Sequence, residues 1–295
     1  LPGVPQLARP FKIKAKPRNN KVAILVHGFT STPIVMRHLA DYLAEQGIDV
    51  VTVLLAGHGR NLETFKRTKW QNWFDSVEDA VTENLRRYKH VYLVGHSMGA
   101  NMCIHAAIKY PDVKAVVSLG ASVYLRRDRW IRMLLPLAKI FNKKYRKRWI
   151  KKEYMDELNA HGRYTHIPIP SLVQLYDFID FHTKREIKYL KCPILVLHSR
   201  KDEVSHPRSS YFIFKRLKVK ERELFILDKN NHGLLHKTRR DFLFKKLDDY
   251  NSSILSMDDL LQNPNGTTFE SKNFKMENIE LTDGLKNTIN AYFEG

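Results

Sequence analysis

The chain is poor in residues that would staple it or carry it through a bilayer. It holds 2 cysteines in 295 residues, too few for a disulfide framework, and neither Cys103 nor Cys192 lies in a C-x-x-C or other ligand-spaced pattern. Both are expected to be buried free thiols, as suits a reducing, cytoplasmic setting. No run of about 18 or more apolar residues occurs, so no transmembrane helix is expected. Acidic side chains are scarce: 31 against 50 basic ones, a formal net charge of +19. That imbalance invites a nucleic acid, an anionic membrane or an acidic ligand as partner, against the plainer reading of a solvated lysine-rich surface. The phosphate-cradling G-x-x-x-x-G-K-[ST] and the zinc-binding H-E-x-x-H are missing, and Gly57-x-Gly59 lacks the third glycine of a dinucleotide fingerprint. The chain opens Leu1-Pro2-Gly3 without methionine, which leaves room for an upstream piece, and any targeting signal in it, to have been removed.

What is present is a 43% hydrophobic composition, enough for one large core with an insertion. Lys21–Val26, Asp49–Leu55, Val91–Val94, Val113–Leu119, Pro193–His198 and Glu223–Leu227 are short apolar runs of the kind expected of strands covered on both faces. Helical patterns separate them, at about residues 34–46, 70–88, 98–110 and 208–217. Strand–helix alternation predicts βαβ units and a mostly parallel sheet. Residues 1–20 read as a loose edge or hairpin. The alternation breaks over residues 121–190, which read as basic helices with interleaved aromatic and aliphatic side chains. Beyond Leu234 the pattern is helical, then polar around 263–273, with a last helix about 281–293.

The organising stretch is Val91-Tyr92-Leu93-Val94-Gly95-His96-Ser97-Met98-Gly99-Ala100. It predicts a strand, a tight turn with Ser97 at its apex, and a helix. Two glycines let strand and helix pass closely, and the helix N-terminus favours an oxyanion beside the serine. The bare G-x-S-x-G pattern arises by chance in roughly one chain in ten of this length, so the flanking elements carry the weight.

A serine hydroxyl needs a base, and the base needs an orienting acid. Around such an elbow these partners follow in the order Ser, acid, His, each after a strand. Asp202 follows the strand that resumes the alternation, with Glu203 the alternative. His232 follows the last strand, with His206 and His236 as rivals. Two backbone amides are needed for the oxyanion. Met98, next after the serine, and Phe29, after the first clear strand, are the candidates. Gly28 allows close approach of that loop. His27 beside it is expected to order the loop, and His58 either faces the pocket or braces a turn.

Taken together, Val26-His27-Gly28-Phe29-Thr30, Leu55-Ala56-Gly57-His58-Gly59, Trp70 with Trp73, Gly95-His96-Ser97-Met98-Gly99, Cys192-Pro193-Ile194-Leu195, Asp202-Glu203-Val204 and His232-Gly233 resemble the carboxylesterase and monoacylglycerol-lipase branch of the α/β-hydrolases. The resemblance spans about residues 21–235. It implies an α/β-hydrolase fold whose core is 1–120 with 191–295, and a helical cap over the acyl pocket at 121–190, inserted after the sixth strand. It implies hydrolysis of carboxylic esters, such as monoacylglycerols or short- to medium-chain acyl esters, with no cofactor and no metal. Acyl transfer or thioester hydrolysis by the same triad is the alternative, and a non-catalytic basic binding module is the alternative of another class. Substrate-contact candidates are His27, Gly28, His58 and, from the cap, Trp130 and Leu134. The segment 236–280 departs from the family pattern, and oligomeric state is left open.

The cap is also unusually basic. Trp130 to Phe141 is apolar in bulk and lies between Arg126-Arg127-Asp128-Arg129 and Lys143-Lys144-Tyr145-Arg146-Lys147-Arg148. Apolar side chains flanked by cations suit first the inner wall of an acyl pocket, and second, in addition, the surface of an anionic membrane. Nucleic acid ranks third, since no nucleic-acid module accompanies the clusters.

Overall fold

The computed structural model describes residues 3–16, 20–140, 144–147 and 155–227. In chain order the elements are β1 (Lys12–Ile13), β2 (Lys21–Val26), α1 (Arg37–Glu45), β3 (Asp49–Val53), α2 (Leu62–Arg67), α3 (Trp70–Leu85), β4 (His90–His96), α4 (Met98–Lys109) and β5 (Ala115–Leu119). There follow α5 (Asp128–Ile140), β6 (Lys144–Arg146), α6 (Met155–Ala160), β7 (His166–Pro168), α7 (Ile169–Phe178), a π-helical turn (Ile179–Thr183), α8 (Lys184–Glu186), β8 (Ile194–Ser199), α9 (Arg208–Arg216) and β9 (Arg222–Leu227).

Seven strands form one sheet in the order β1-β3-β2-β4-β5-β8-β9. Every pair is parallel except β1 with β3. The central strands β2, β3, β4, β5 and β8 are buried along nearly their whole length, which is why their sequences do not alternate. The only edge partner before β2, among the described residues, is the short β1. The excursion between β5 and β8 therefore follows the fifth strand in chain order, where the sequence expectation counted six. Among the described residues it contains the four helices α5–α8, the π turn and the small antiparallel pair β6–β7, exposed along β6. The expectation of helices alone over 121–190 missed that pair. The helix α2 was also unforeseen, since its six residues are too few for a period to show. The readings beyond Leu227, including the final helix and the segment 236–280, lie outside the described residues.

Strand order reverses around β2. The chain passes from β2 outward to β3, then crosses back to β4 on the other side. The crevice above the carboxyl ends of β2 and β4 is thus the topological switch point, where open α/β sheets place ligands. The two loops that meet there begin at His27 and Ser97.

The elbow is closed by contact too tight for side chains. A Cβ on Gly95 would lie 2.4 Å from the Gly99 carbonyl oxygen and 2.5 Å from Ala100 Cα. A Cβ on Gly99 would lie 2.3 Å from the Val26 carbonyl oxygen and 2.5 Å from that of His27. The obstacles are backbone, so no rotamer change relieves them. Cys103 and Cys192 are free and buried, and burial raises both thiols, Cys192 to about 12, so neither is a nucleophile. No helix among the described residues is long and apolar enough to cross a membrane.

Overpacking a close contact costs about 1–3 kcal/mol, and more when backbone must move. Gly99→Ala is therefore expected to lower unfolding free energy in urea by at least about 2 kcal/mol. An unchanged denaturation midpoint would contradict the close β2–α4 packing.

Candidate active site

Ser97 caps α4 with φ +56° and ψ −122°, a region few non-glycine residues adopt. Its backbone N–H donates to the Leu119 carbonyl at 2.8 Å, which fastens the turn to the end of β5. Its side chain is buried but not sealed, at 5% exposure for the residue. Gly28 lies directly against it: a Cβ there would be 3.0 Å from Ser97 Cβ. The N-terminus of α4, starting at Met98, and the loop carrying Phe29 therefore flank the same serine.

The Gly28–Thr30 loop is held by two neutral histidines. Nδ1–H of His27 donates to the Gly28 carbonyl at 2.9 Å, and Nε2 accepts from the Leu55 N–H at 3.2 Å. For His58, Nδ1–H donates to the Ala56 carbonyl at 3.3 Å and Nε2 accepts from the Thr30 N–H at 3.2 Å. Each ring uses one donor and one acceptor, so each is fixed as a neutral tautomer. Burial pushes His27 down to about 4 and His58 well below its ordinary value. His27 thus orders the loop through its ring nitrogens, and His58 is bonded to backbone in the same way. Both are buried, and both nitrogens of each are spent on backbone. Of the alternatives for His58, it is the turn brace.

The loop is held from above as well. Thr30, itself at φ +59°, accepts at its carbonyl from the Tyr164 N–H at 3.2 Å. Its hydroxyl donates to the Phe29 carbonyl at 2.5 Å and accepts from the Lys147 ammonium. Tyr164 O–H donates to the Gly57 carbonyl at 2.7 Å. Phe29 packs on Phe65 and Trp73, with ring centroids 5.3 and 5.8 Å apart. Lys147 is nearly enclosed, and desolvation pulls it down to about 7. The sequence reading placed Lys147 only in a basic cluster flanking the apolar stretch of the cap and did not single out Tyr164. Nothing local distinguishes them, because both come from the excursion and reach the loop only through the tertiary fold.

Of the two adjacent carboxylates, Asp202 is buried and Glu203 exposed. Asp202 Oδ1 accepts from the Val204 and Ser205 N–H groups at 2.8 and 2.7 Å, which sets the plane of the carboxyl group. Its Oδ2 lies 3.3 Å from His198 Nε2. The Ser205 hydroxyl donates to the Ala121 carbonyl at 2.8 Å, tying the Asp202 loop to the loop after β5. On that loop Ser122 Oγ stands 3.0 Å from Ser97 Oγ. Asn101 clamps Ser122 by both backbone groups, at 2.9 and 3.0 Å. Ser122 and Asn101 were not singled out from the sequence. His206 is half-buried, takes an N–H from Arg208 at 3.2 Å, and is lowered to about 4 chiefly by desolvation, so it is not poised as a base near neutrality. His232 and His236 lie outside the described residues.

Trp130 and Leu134 do not line an enclosed pocket. With Met133 and Leu137 they are 62, 52, 56 and 59% exposed, at the i, i+3, i+4, i+7 spacing of one helix face. Among the described residues this stripe faces outward. The reason is the other side of α5: Arg132 pairs with Asp128 and Asp180 at 2.9 and 2.6 Å and lies over the Tyr176 ring at 4.3 Å. That anchor turns the apolar stripe outward.

A strained serine between strand and helix at the switch point, on a mostly parallel sheet, defines an α/β-hydrolase. The chain matches the Hydrolase_4 family model, described as serine aminopeptidase S33, over residues 17–239. It belongs to that family, and it is a hydrolase of the esterase and lipase type. It is 29% identical over 212 residues to the thermostable monoacylglycerol lipase of Bacillus sp. (strain H-257), covering 71% of this chain and 81% of that one. It is 22% identical over 245 residues to a carboxylesterase of Bacillus subtilis (strain 168), covering 82% and 95%. Among solved structures, the monoacylglycerol lipase of Paleococcus ferrophilus superposes with a TM-score of 0.68 at 17% identity, covering 83% of this chain and 98% of that one. That likeness speaks for the fold.

The buried histidines make stability depend on pH. Folded His27 prefers the neutral form, while the unfolded ring takes a proton near 6.5. Stability is therefore full above about pH 6.5 and is lost as pH falls toward 4, by up to about 3 kcal/mol for this ring. Lys147 acts at the other end. Its folded form releases its proton near 7 and its unfolded form near 10.5, so its burial cost fades as pH rises between those values. Melting temperatures measured from pH 4 to 10 should show both slopes. His27→Asn should flatten the acid limb, and an equally steep limb in that variant would refute the assignment.

Proposed function

We propose that this protein is a serine esterase acting on monoacylglycerols or on short- to medium-chain acyl esters. The single observation that carries the reading is Ser97, strained at φ +56° between β4 and α4 with the Gly28 backbone in contact. The family membership and the two named relatives support the substrate class. In this mechanism His232, oriented by Asp202, takes the proton of Ser97, and Oγ attacks the ester carbonyl. The Phe29 and Met98 amides stabilise the tetrahedral oxyanion. The alcohol leaves with a proton from His232, and water then hydrolyses the acyl-enzyme. No cofactor is needed. The burial and paired N–H donors of Asp202 support it over Glu203, since a carboxylate so held keeps both its charge and its orientation. The core would be 1–120 with 191–295, and 121–190 its cap.

The exposed stripe Trp130, Met133, Leu134 and Leu137 supports a second part of the reading, contact with an anionic lipid surface. Exposed Arg127 and Arg129 precede the stripe and exposed Lys144 and Arg146 follow it. Apolar side chains with flanking cations are what an interfacial segment needs.

With p-nitrophenyl esters of graded chain length, Ser97→Ala and His232→Ala should each lose at least about a hundredfold in kcat/KM. A smaller loss would remove that residue from the triad. Asp202→Asn should fall further than Glu203→Gln. Product analysis with glycerol or thioesters present separates hydrolysis from acyl transfer. Met133→Asp with Leu137→Asp should reduce co-sedimentation with anionic vesicles while leaving hydrolysis of soluble esters near wild type. Equal wild-type binding to anionic and neutral vesicles, or none, would end the membrane reading.

A further inference from the structure

Away from Ser97, α4 meets the strap that leads from the excursion back to β8. There His105, His182 and Glu186 converge, and their ligand atoms all lie within 4.8 Å of one another. Glu186 divides its carboxylate between the two rings: His105 Nδ1 is 2.5 Å from Oε2, and His182 Nδ1 is 2.9 Å from Oε1. The two ring centroids are 4.5 Å apart. His182 and Glu186 share one face at i, i+4, and His105 comes from a different element. The π turn Ile179–Thr183 is what swings His182 into line, and π turns recur at functional sites.

We propose that His105, His182 and Glu186 bind one divalent transition cation of the zinc, cobalt or nickel kind, with water completing its shell. Two imidazoles and one carboxylate are a borderline donor set that suits these ions over magnesium or calcium. Ligands about 2.0–2.1 Å from a tetrahedral ion stand about 3.3 Å apart. The observed N–O separations, 2.5 and 2.9 Å, reach that with about 0.8 and 0.4 Å of opening. Ligation through Nδ1 leaves Nε2 of each ring to carry the proton. The side chains of His105, His182 and Glu186 keep 15, 20 and 27% exposure, which leaves an entry route. Trp70 packs on His182 and Phe74 on His105, each at 4.5 Å between centroids, and these rings fix the imidazole planes. Lys109, one turn further along α4, is held by Glu78 and is not placed to replace the cation.

Such an ion joins α4 to the π turn. Thr183, next to His182, accepts from Asn101 Nδ2 at 3.1 Å, and Asn101 is the clamp on Ser122. The cation therefore stiffens the same contact set that stands beside Ser97. The site shares no residue with the proposed triad, and its argument does not rest on the proposed substrate.

The test is calorimetric titration of Zn2+ into chelator-treated full-length chain, with Co2+ absorption as a report on ligand type. One equivalent should bind, the Co2+ spectrum should indicate nitrogen and oxygen donors, and the melting temperature should rise. His182→Gln and Glu186→Gln should each weaken binding at least tenfold while keeping hydrolysis of a soluble ester. Uptake that survives unchanged in both variants would assign the ion to other histidines and overturn the site, as would no uptake at about 100 µM Zn2+. Should either variant fail to fold, imidazole NMR of the wild type decides. Two of the 13 histidine rings must shift together on adding one equivalent, and an unchanged spectrum refutes the site.

Discussion

The arrangement around the serine rests on the crossing of two backbones. β2 ends and α4 begins within a Cβ's width of each other, and Gly99 is the residue that permits it. Gly95 does the same between β4 and α4. These contacts hold Ser97 in a strained conformation that would relax if either helix or strand drew back. They also press the Gly28 loop against Ser97, so Ser97 and the loop carrying Phe29 are positioned by one packing event rather than two.

Around that crossing the polar groups form layers of support. His27 and His58 are consumed as neutral struts under the Phe29 loop, while Thr30, Tyr164 and Lys147 hold it from the side of the excursion. Asn101 and Ser122 brace the opposite flank, and the Asp202 loop is tied to Ala121 through Ser205. Burying so many polar groups is tolerable because the named ones are hydrogen-bonded. The arrangement also explains why residues 121–190 matter to the site: Ser122 reaches Ser97 directly, and Tyr164 and Lys147 hold the loop packed against it.

The basic character of the chain divides by place. Arg132 serves as an anchor between α5 and α7, and Lys147 is enclosed against the loop. Arg127, Arg129, Lys144 and Arg146 face solvent near an outward apolar stripe. A single net charge thus conceals three different settings: an ion-paired anchor, an enclosed ammonium and a set facing solvent.

Much of this was legible in the sequence. Near-continuous apolar runs announced strands buried on both faces, and their alternation with 3.6-period segments fixed a parallel sheet. Gly95-x-Ser97-x-Gly99 between a strand and a helix located the elbow, because those residue types answer a local steric demand. The burial of Asp202 beside an exposed Glu203, the backbone bonding of His27 and His58, and the outward turn of Trp130 and Leu134 were decided by the tertiary structure alone. So were the support of Thr30 by Lys147 and the meeting of His105 with His182 and Glu186. Each depends on which face of an element is covered and by what, and partners about 80 to 120 positions apart leave no periodic trace along the chain.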